Sequence, residues 1–145
     1  MKEKFKKAYM DVAWRFAQLS TAKRLQVGAI AVKDNRIISI GYNGMPSGWD
    51  NTCENEIKWP NGEVRFSETK PEVIHAERNC LDKLARSKES SEGAVMFVTH
   101  TPCIECAKSI YNCGITEVYV GQKYIARKGC GEDFLLKSGV KIVTL

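Results

Sequence analysis

Ala94-Val95-Met96-Phe97-Val98-Thr99-His100-Thr101-Pro102-Cys103-Ile104-Glu105-Cys106-Ala107-Lys108-Ser109-Ile110-Tyr111-Asn112-Cys113 is the stretch on which the fold turns. It opens with a strand-length apolar run, Ala94 to Thr99. It then passes Pro102 and continues as a helix from about Ile104 to Cys113, with Gly114 at the C-terminal stop. Two cysteines three positions apart at a helix start can bring both sulfurs to one ion. A strand feeding a helix that carries chemistry in its first turn is half of an α/β unit.

The flanking sequence continues the same alternation. Upstream, a helix is predicted near His75 to Ser87, with Leu81, Leu84 and Ala85 toward a sheet. From Lys4 to Leu19 the residues Phe5, Ala8, Tyr9, Val12, Ala13, Phe16 and Leu19 recur at three- and four-residue spacing, which predicts an amphipathic helix. Val27 to Val32 and Ile37 to Tyr42 read as two strands of a hairpin turning through Lys33, Asp34, Asn35 and Arg36. Asn43 to Val73 holds Gly44, Pro46, Gly48, Pro60, Gly62 and Pro71 without sustained periodicity, and reads as a long irregular loop with a functional role. Downstream come a strand at Glu117 to Gly121, a short helix at Glu132 to Lys137 and a last strand at Val140 to Thr144. No internal repeat is present. The expected fold is α/β: a three-layer α/β/α arrangement in one domain, 1-145, with a five-stranded mixed sheet and helices on both faces.

Composition bounds the remaining classes. At 145 residues, 43% hydrophobic and 27% charged, the chain suits one domain with one core. No run approaches membrane-spanning length, and the basic start MKEKFKKAYM does not lead into the apolar stretch of a secretory signal. Six cysteines would permit a disulfide scaffold, but the supply of Ile, Leu and Val and the CxxC spacing favour reduced thiols and a cytoplasmic setting. The formal charge of +5 suits an anionic ligand, a nucleotide before a nucleic acid.

The chemistry lies in His75-Ala76-Glu77 and Pro102-Cys103-Ile104-Glu105-Cys106. His75 at one helix start, with Cys103 and Cys106 at another, gives three ligands for zinc and leaves a fourth position for water, the pattern of a catalytic rather than a structural site. Two thiolates and a neutral histidine weaken the pull of the metal on that water. Two helix N-termini offset thiolate charge and lower the cysteine pKa values. Glu77, two positions after His75, points away from the same metal vertex and suits a general acid/base. A structural zinc or a redox pair is the other reading of the CxxC. Cys80, Cys113 and Cys130 read as buried free thiols.

HxE followed by PCxxC is the general signature of the zinc deaminases, with the glutamate a non-ligand, and this chain matches it at His75, Glu77, Cys103 and Cys106. The sequence resembles the deoxycytidylate deaminases of the cytidine and deoxycytidylate deaminase zinc-dependent family from about Phe5 to Val143. The resemblance is carried by Val27-Gly28-Ala29, Gly41-Tyr42-Asn43-Gly44-Met45-Pro46 and His75-Ala76-Glu77-Arg78-Asn79. It implies a cytidine deaminase-like fold and hydrolytic conversion of dCMP to dUMP and ammonia, a step of pyrimidine deoxynucleotide metabolism. It implies substrate contacts from Arg24, Asn43, Glu54 and Tyr124. It further implies an allosteric nucleotide site including Gly41, Tyr42, Asn43 and Gly44, with dCTP activating, dTTP inhibiting and Mg²⁺ on the triphosphate, in a homohexamer.

Each of these residues has a plainer reading as well. Arg24 is also readable as a solvated arginine, Asn43 as a turn residue and Tyr124 as a half-buried aromatic. Some phage relatives hold a second zinc in the insertion after GYNG. Here that loop offers Cys53 and no histidine, so one zinc per chain is expected. His100 reads as a polar strand-end residue beside the pocket. The competing functions are a tRNA adenosine deaminase, another cytosine nucleoside or nucleotide deaminase, and a catalytically inactive zinc module with a regulatory role. The tRNA enzyme would want basic and aromatic surface for an RNA loop, and the inactive module is disfavoured by the intact Glu77.

Overall fold

The computed structural model describes residues 1–145. The elements in chain order are α1 (Glu3–Ala17), β1 (Gly28–Lys33), β2 (Arg36–Tyr42), β3 (Glu54–Lys58), β4 (Val64–Thr69), α2 (Ala76–Ala85), β5 (Val95–His100), α3 (Ile104–Asn112), β6 (Glu117–Gln122), α4 (Gly131–Lys137) and β7 (Lys141–Thr144). The main sheet runs β2-β1-β5-β6-β7. β1 pairs antiparallel with both β2 and β5, whereas β5-β6 and β6-β7 are parallel. This is the expected five-stranded mixed sheet of the cytidine deaminase-like fold, with ends shifted by a residue or two.

Strand alternation splits the core in two. Ala29, Ala31, Met96, Val98, Val118 and Val120 face α2, α3 and α4, meeting Leu81, Leu84, Ala107, Ile110 and Leu135. The intervening residues Ile30, Val32, Phe97 and Tyr119 face α1, meeting Met10 and Ala13. Period-2 side-chain geometry makes this unavoidable once both sheet faces are covered. Three helices therefore cover one face and one covers the other. Phe97 anchors the α1 side, stacked on Tyr119 with centroids 5.0 Å apart. Burying a side chain of that kind contributes about 1.5–3 kcal/mol.

The β1-β2 hairpin turns at Asp34 and Asn35, both left-handed with φ of 51° and 57°. That geometry matches the twist of the flanking strands and suits short polar side chains.

The span from Asn43 to Val73 is a correction to the sequence reading. It is not irregular throughout: β3 and β4 form a two-stranded antiparallel ribbon. All six residues of β4 are exposed and β3 is largely so, with Glu54 its one buried position. A ribbon open to solvent on both faces carries little apolar pattern: Val64 and Phe66 alternate with Arg65 and Ser67 in β4 but β3 has only Ile57, which leaves periodicity a weak signal.

Register explains where a site can form. Gly28 pairs with Tyr42, Ala29 with Val98 and His100 with Gln122. The start of β1 and the ends of β2, β5 and β6 therefore share one edge of the sheet, and the loops leaving them gather there.

Candidate active site

His75 and Cys103 are the residues that cap α2 and α3. Both have extended backbone, with φ/ψ of −66°/152° and −70°/167°, and neither side chain caps its own helix. Their carbonyls accept the first helical hydrogen bonds, from the amides of Asn79 and Ala107, both at 2.9 Å. Their side chains are thus free to turn toward each other at two positive helix ends. Cys106, one turn into α3, is buried beside them.

The ligand atoms of His75, Cys103 and Cys106 lie within 4.8 Å of one another. His75 Nδ1 stands 3.6 Å from Cys103 Sγ and 3.3 Å from Cys106 Sγ. In a tetrahedral zinc shell an imidazole nitrogen and a thiolate sulfur sit roughly 3.6 Å apart. The three residues fit zinc. All six cysteines are free thiols, and Cys53, Cys80, Cys113 and Cys130 are not part of the cluster.

Proton affinities in the cluster follow its geometry. Hydrogen bonding from Cys106, reinforced by His75, holds the Cys103 thiol far below the usual range, at about 3. The Cys106 thiol is pushed up by its bond to Cys103 and by burial. His75 is raised, first by its hydrogen bond to Cys103. Three basic atoms thus crowd one point with their proton affinities pulled apart, a demand that a cation satisfies. Glu77, 4% exposed, faces no lysine or arginine at bonding distance. Burial lifts its carboxyl to about 6.

A cavity of about 360 Å³ opens over the cluster, lined by His75, Glu77 and Cys103. Arg24, Asn43, Glu54 and Tyr124, the four residues expected at the substrate, line it too. Two of them are also braces. Asn43 Oδ1 accepts the Val27 amide and Asn43 Nδ2 donates to the Leu25 carbonyl, both at 2.8 Å. The Glu54 carboxylate accepts the amides of Lys23 at 3.0 Å and Arg24 at 3.4 Å. Together they hold the segment that delivers Arg24 to the cavity. Tyr124 is positioned by its amide, which donates to Thr101 Oγ1 at 3.0 Å.

Of the GYNG residues, the structure brings only Asn43 to this cavity. Gly41 is buried under α2, where any Cβ would collide with the Ala76 carbonyl and the Cys80 amide. The carbonyl of the exposed Tyr42 accepts from Asn79 Nδ2, and Gly44 bridges to Ile74. Sequence reasoning missed Lys70, Arg127 and Lys128, which also line the cavity. The run Ala126-Arg127-Lys128-Gly129 after β6 was the available signal, but only the sheet register shows that its loop returns to the site. His100 lines the cavity as well.

A mixed α/β sheet with a His/Cys/Cys cluster and a buried glutamate at two helix starts defines a zinc hydrolase-type site. The chain belongs to the family described as the cytidine and deoxycytidylate deaminase zinc-binding region, matched over residues 3–122. The deoxycytidylate deaminase of enterobacteria phage T4 is 32% identical over 92% of this chain and 86% of its own. The human deoxycytidylate deaminase is 39% identical over 80% of this chain, which spans 64% of the human protein's length. The dCMP deaminase of cyanophage S-TIM5, solved in complex with dCMP and dUMP, superposes with a TM-score of 0.86 at 41% identity, covering 100% of this chain and 99% of that one.

Proposed function

We propose that this protein is a zinc-dependent deaminase converting dCMP to dUMP and ammonia. The observation that carries the reading is the single cavity joining the His75, Cys103 and Cys106 cluster and buried Glu77 to Arg24, Lys70, Arg127 and Lys128. A monophosphate ester wants fixed cations, and four line this cavity. That favours a nucleotide over a free nucleoside.

His75, Cys103 and Cys106 hold the metal, which when bound supplies Lewis acidity that makes a water nucleophilic near neutral pH. Glu77 takes a proton from the attacking water and hands it to N3 of cytosine as the C4–O bond forms. It then carries the second proton to the exocyclic amino group. The C4–N bond breaks, ammonia leaves and C4 becomes the carbonyl of uracil. Burial suits Glu77 to this traffic, because a carboxyl near 6 accepts and returns a proton at small cost. Arg24 meets the phosphate, while Asn43 and Tyr124 border the sugar and ring. Glu54 serves the substrate by holding the backbone of Arg24.

The reading extends to regulation by dCTP and dTTP, with Mg²⁺ on the triphosphate, through Gly41, Tyr42, Asn43 and Gly44 in a homohexamer. Its support is the resemblance in GYNG, together with the exposed Tyr42 beside the cavity loop. Ammonia release from dCMP, cytidine, dCTP and a tRNA anticodon stem, each with and without the two triphosphates, tests the whole reading. Selective turnover of dCMP, raised by dCTP and lowered by dTTP, is expected. Turnover of the RNA alone would refute the substrate while leaving the zinc chemistry intact.

A further inference from the structure

His100 ends β5 on the sheet edge that bears the site and lines the cavity, but the mechanism above gives it no task. The residue is 7% exposed, and its ring is held edge-on to Trp14 of α1 and to Tyr124, with centroid distances of 5.3 and 6.2 Å. Its protonation is legible from one neighbour. The Thr99 hydroxyl, completely buried, accepts the Gly28 amide at 3.1 Å. Its only other partner is His100 Nδ1, at 2.8 Å.

A buried hydroxyl proton needs an acceptor, and His100 Nδ1 is the only one within reach. Thr99 therefore donates to Nδ1, which leaves the ring proton on Nε2. Nε2 itself has no partner in the protein, yet no buried side-chain nitrogen or oxygen is left unpaired. The Nε2–H is accordingly open, and the open space beside this ring is the cavity.

We propose that His100 is a substrate-binding residue whose Nε2–H, fixed by the Thr99-to-Nδ1 hydrogen bond, donates to an oxygen acceptor of the bound pyrimidine nucleotide. The relay begins in the backbone of β1 at Gly28, so the donor is set by the sheet and not by a mobile loop. Preorganised in this way, it loses little freedom when ligand arrives. A neutral donor here also leaves the ligand's negative charge to the cations that line the cavity. The proposal rests on the nucleotide reading of the site.

Two measurements test it. In the free wild-type protein, ¹⁵N chemical shifts of the His100 ring report the tautomer without any turnover. The Nε2–H form is expected, and an Nδ1–H form would overturn the proposal. In steady-state deamination of dCMP, His100→Asn keeps a group opposite Thr99 but removes the distal donor, whereas His100→Gln keeps a distal amide. The first should raise KM about tenfold with melting temperature and zinc content unchanged, and the second should recover most of that loss. Equal KM in both variants and the wild type would reduce His100 to a packing residue and refute the role. Failure of wild type to deaminate dCMP would instead strike the nucleotide reading, while the tautomer result stands by itself.

Discussion

Glu77 is the residue at which burial and chemistry meet. Its folded-state pKa of about 6 lies above the ordinary 4.5, so the folded metal-free chain binds the proton more tightly than the unfolded chain does. Stability from this group is complete below about pH 4.5 and is lost as pH rises through about 6, by roughly 2 kcal/mol. Urea unfolding of the metal-free protein and of Glu77→Gln from pH 4.5 to 7 isolates the effect. The variant should gain on the wild type across that interval, and parallel curves would show that Glu77 is not desolvated. Cys106 offers a second test. Cys106→Ser should purify without zinc and melt lower than the wild type, since ligand binding and local folding are coupled here. Stoichiometric zinc in that variant would exclude Cys106 from the ligand set.

Helix α2 is placed by a missing side chain. Because Gly41 of β2 meets the backbone of Ala76 and Cys80, the helix sits closer to the sheet than any other residue would allow. Gly41→Ala must push α2 away and carry His75 and Glu77 with it. A loss of about 1–3 kcal/mol is expected, with weaker zinc retention, measured by thermal melts and metal analysis. Normal stability would mean that the contact is loose. This glycine belongs to the GYNG run that resemblance assigns to regulation, so its packing duty was hidden in a functional motif. The elements themselves were legible where one face is buried. The three- and four-residue spacing in α1 and the β-branched runs of β1 and β2 located them to within a residue or two. The β3-β4 ribbon was not legible, because it is largely exposed and its pattern is short: Val64 and Phe66 alternate with polar residues in β4, but β3 carries Ile57 alone.

In the molecule as a whole, one sheet edge collects the starts of α2 and α3, the segment before β1 and the loop after β6. The zinc-type cluster was legible in sequence because its spacing is local to two short motifs. The cation lining was legible only at Arg24, since Lys70, Arg127 and Lys128 reach the cavity through long-range pairing. Those cations together with Arg24 should make the KM for dCMP, but not that for cytidine, rise with ionic strength between 0.05 and 0.5 M, by several-fold on ordinary screening. A flat salt profile for dCMP would count against phosphate recognition. The measurement that bears most directly on the whole reading is dUMP formation from dCMP by the zinc-loaded wild type beside zinc-loaded Glu77→Gln. Steady turnover in the first, with a loss of about 10²–10⁴-fold in the second at equal zinc content, is the expected result. A Glu77→Gln rate near that of the wild type, or no dUMP from either, would contradict it.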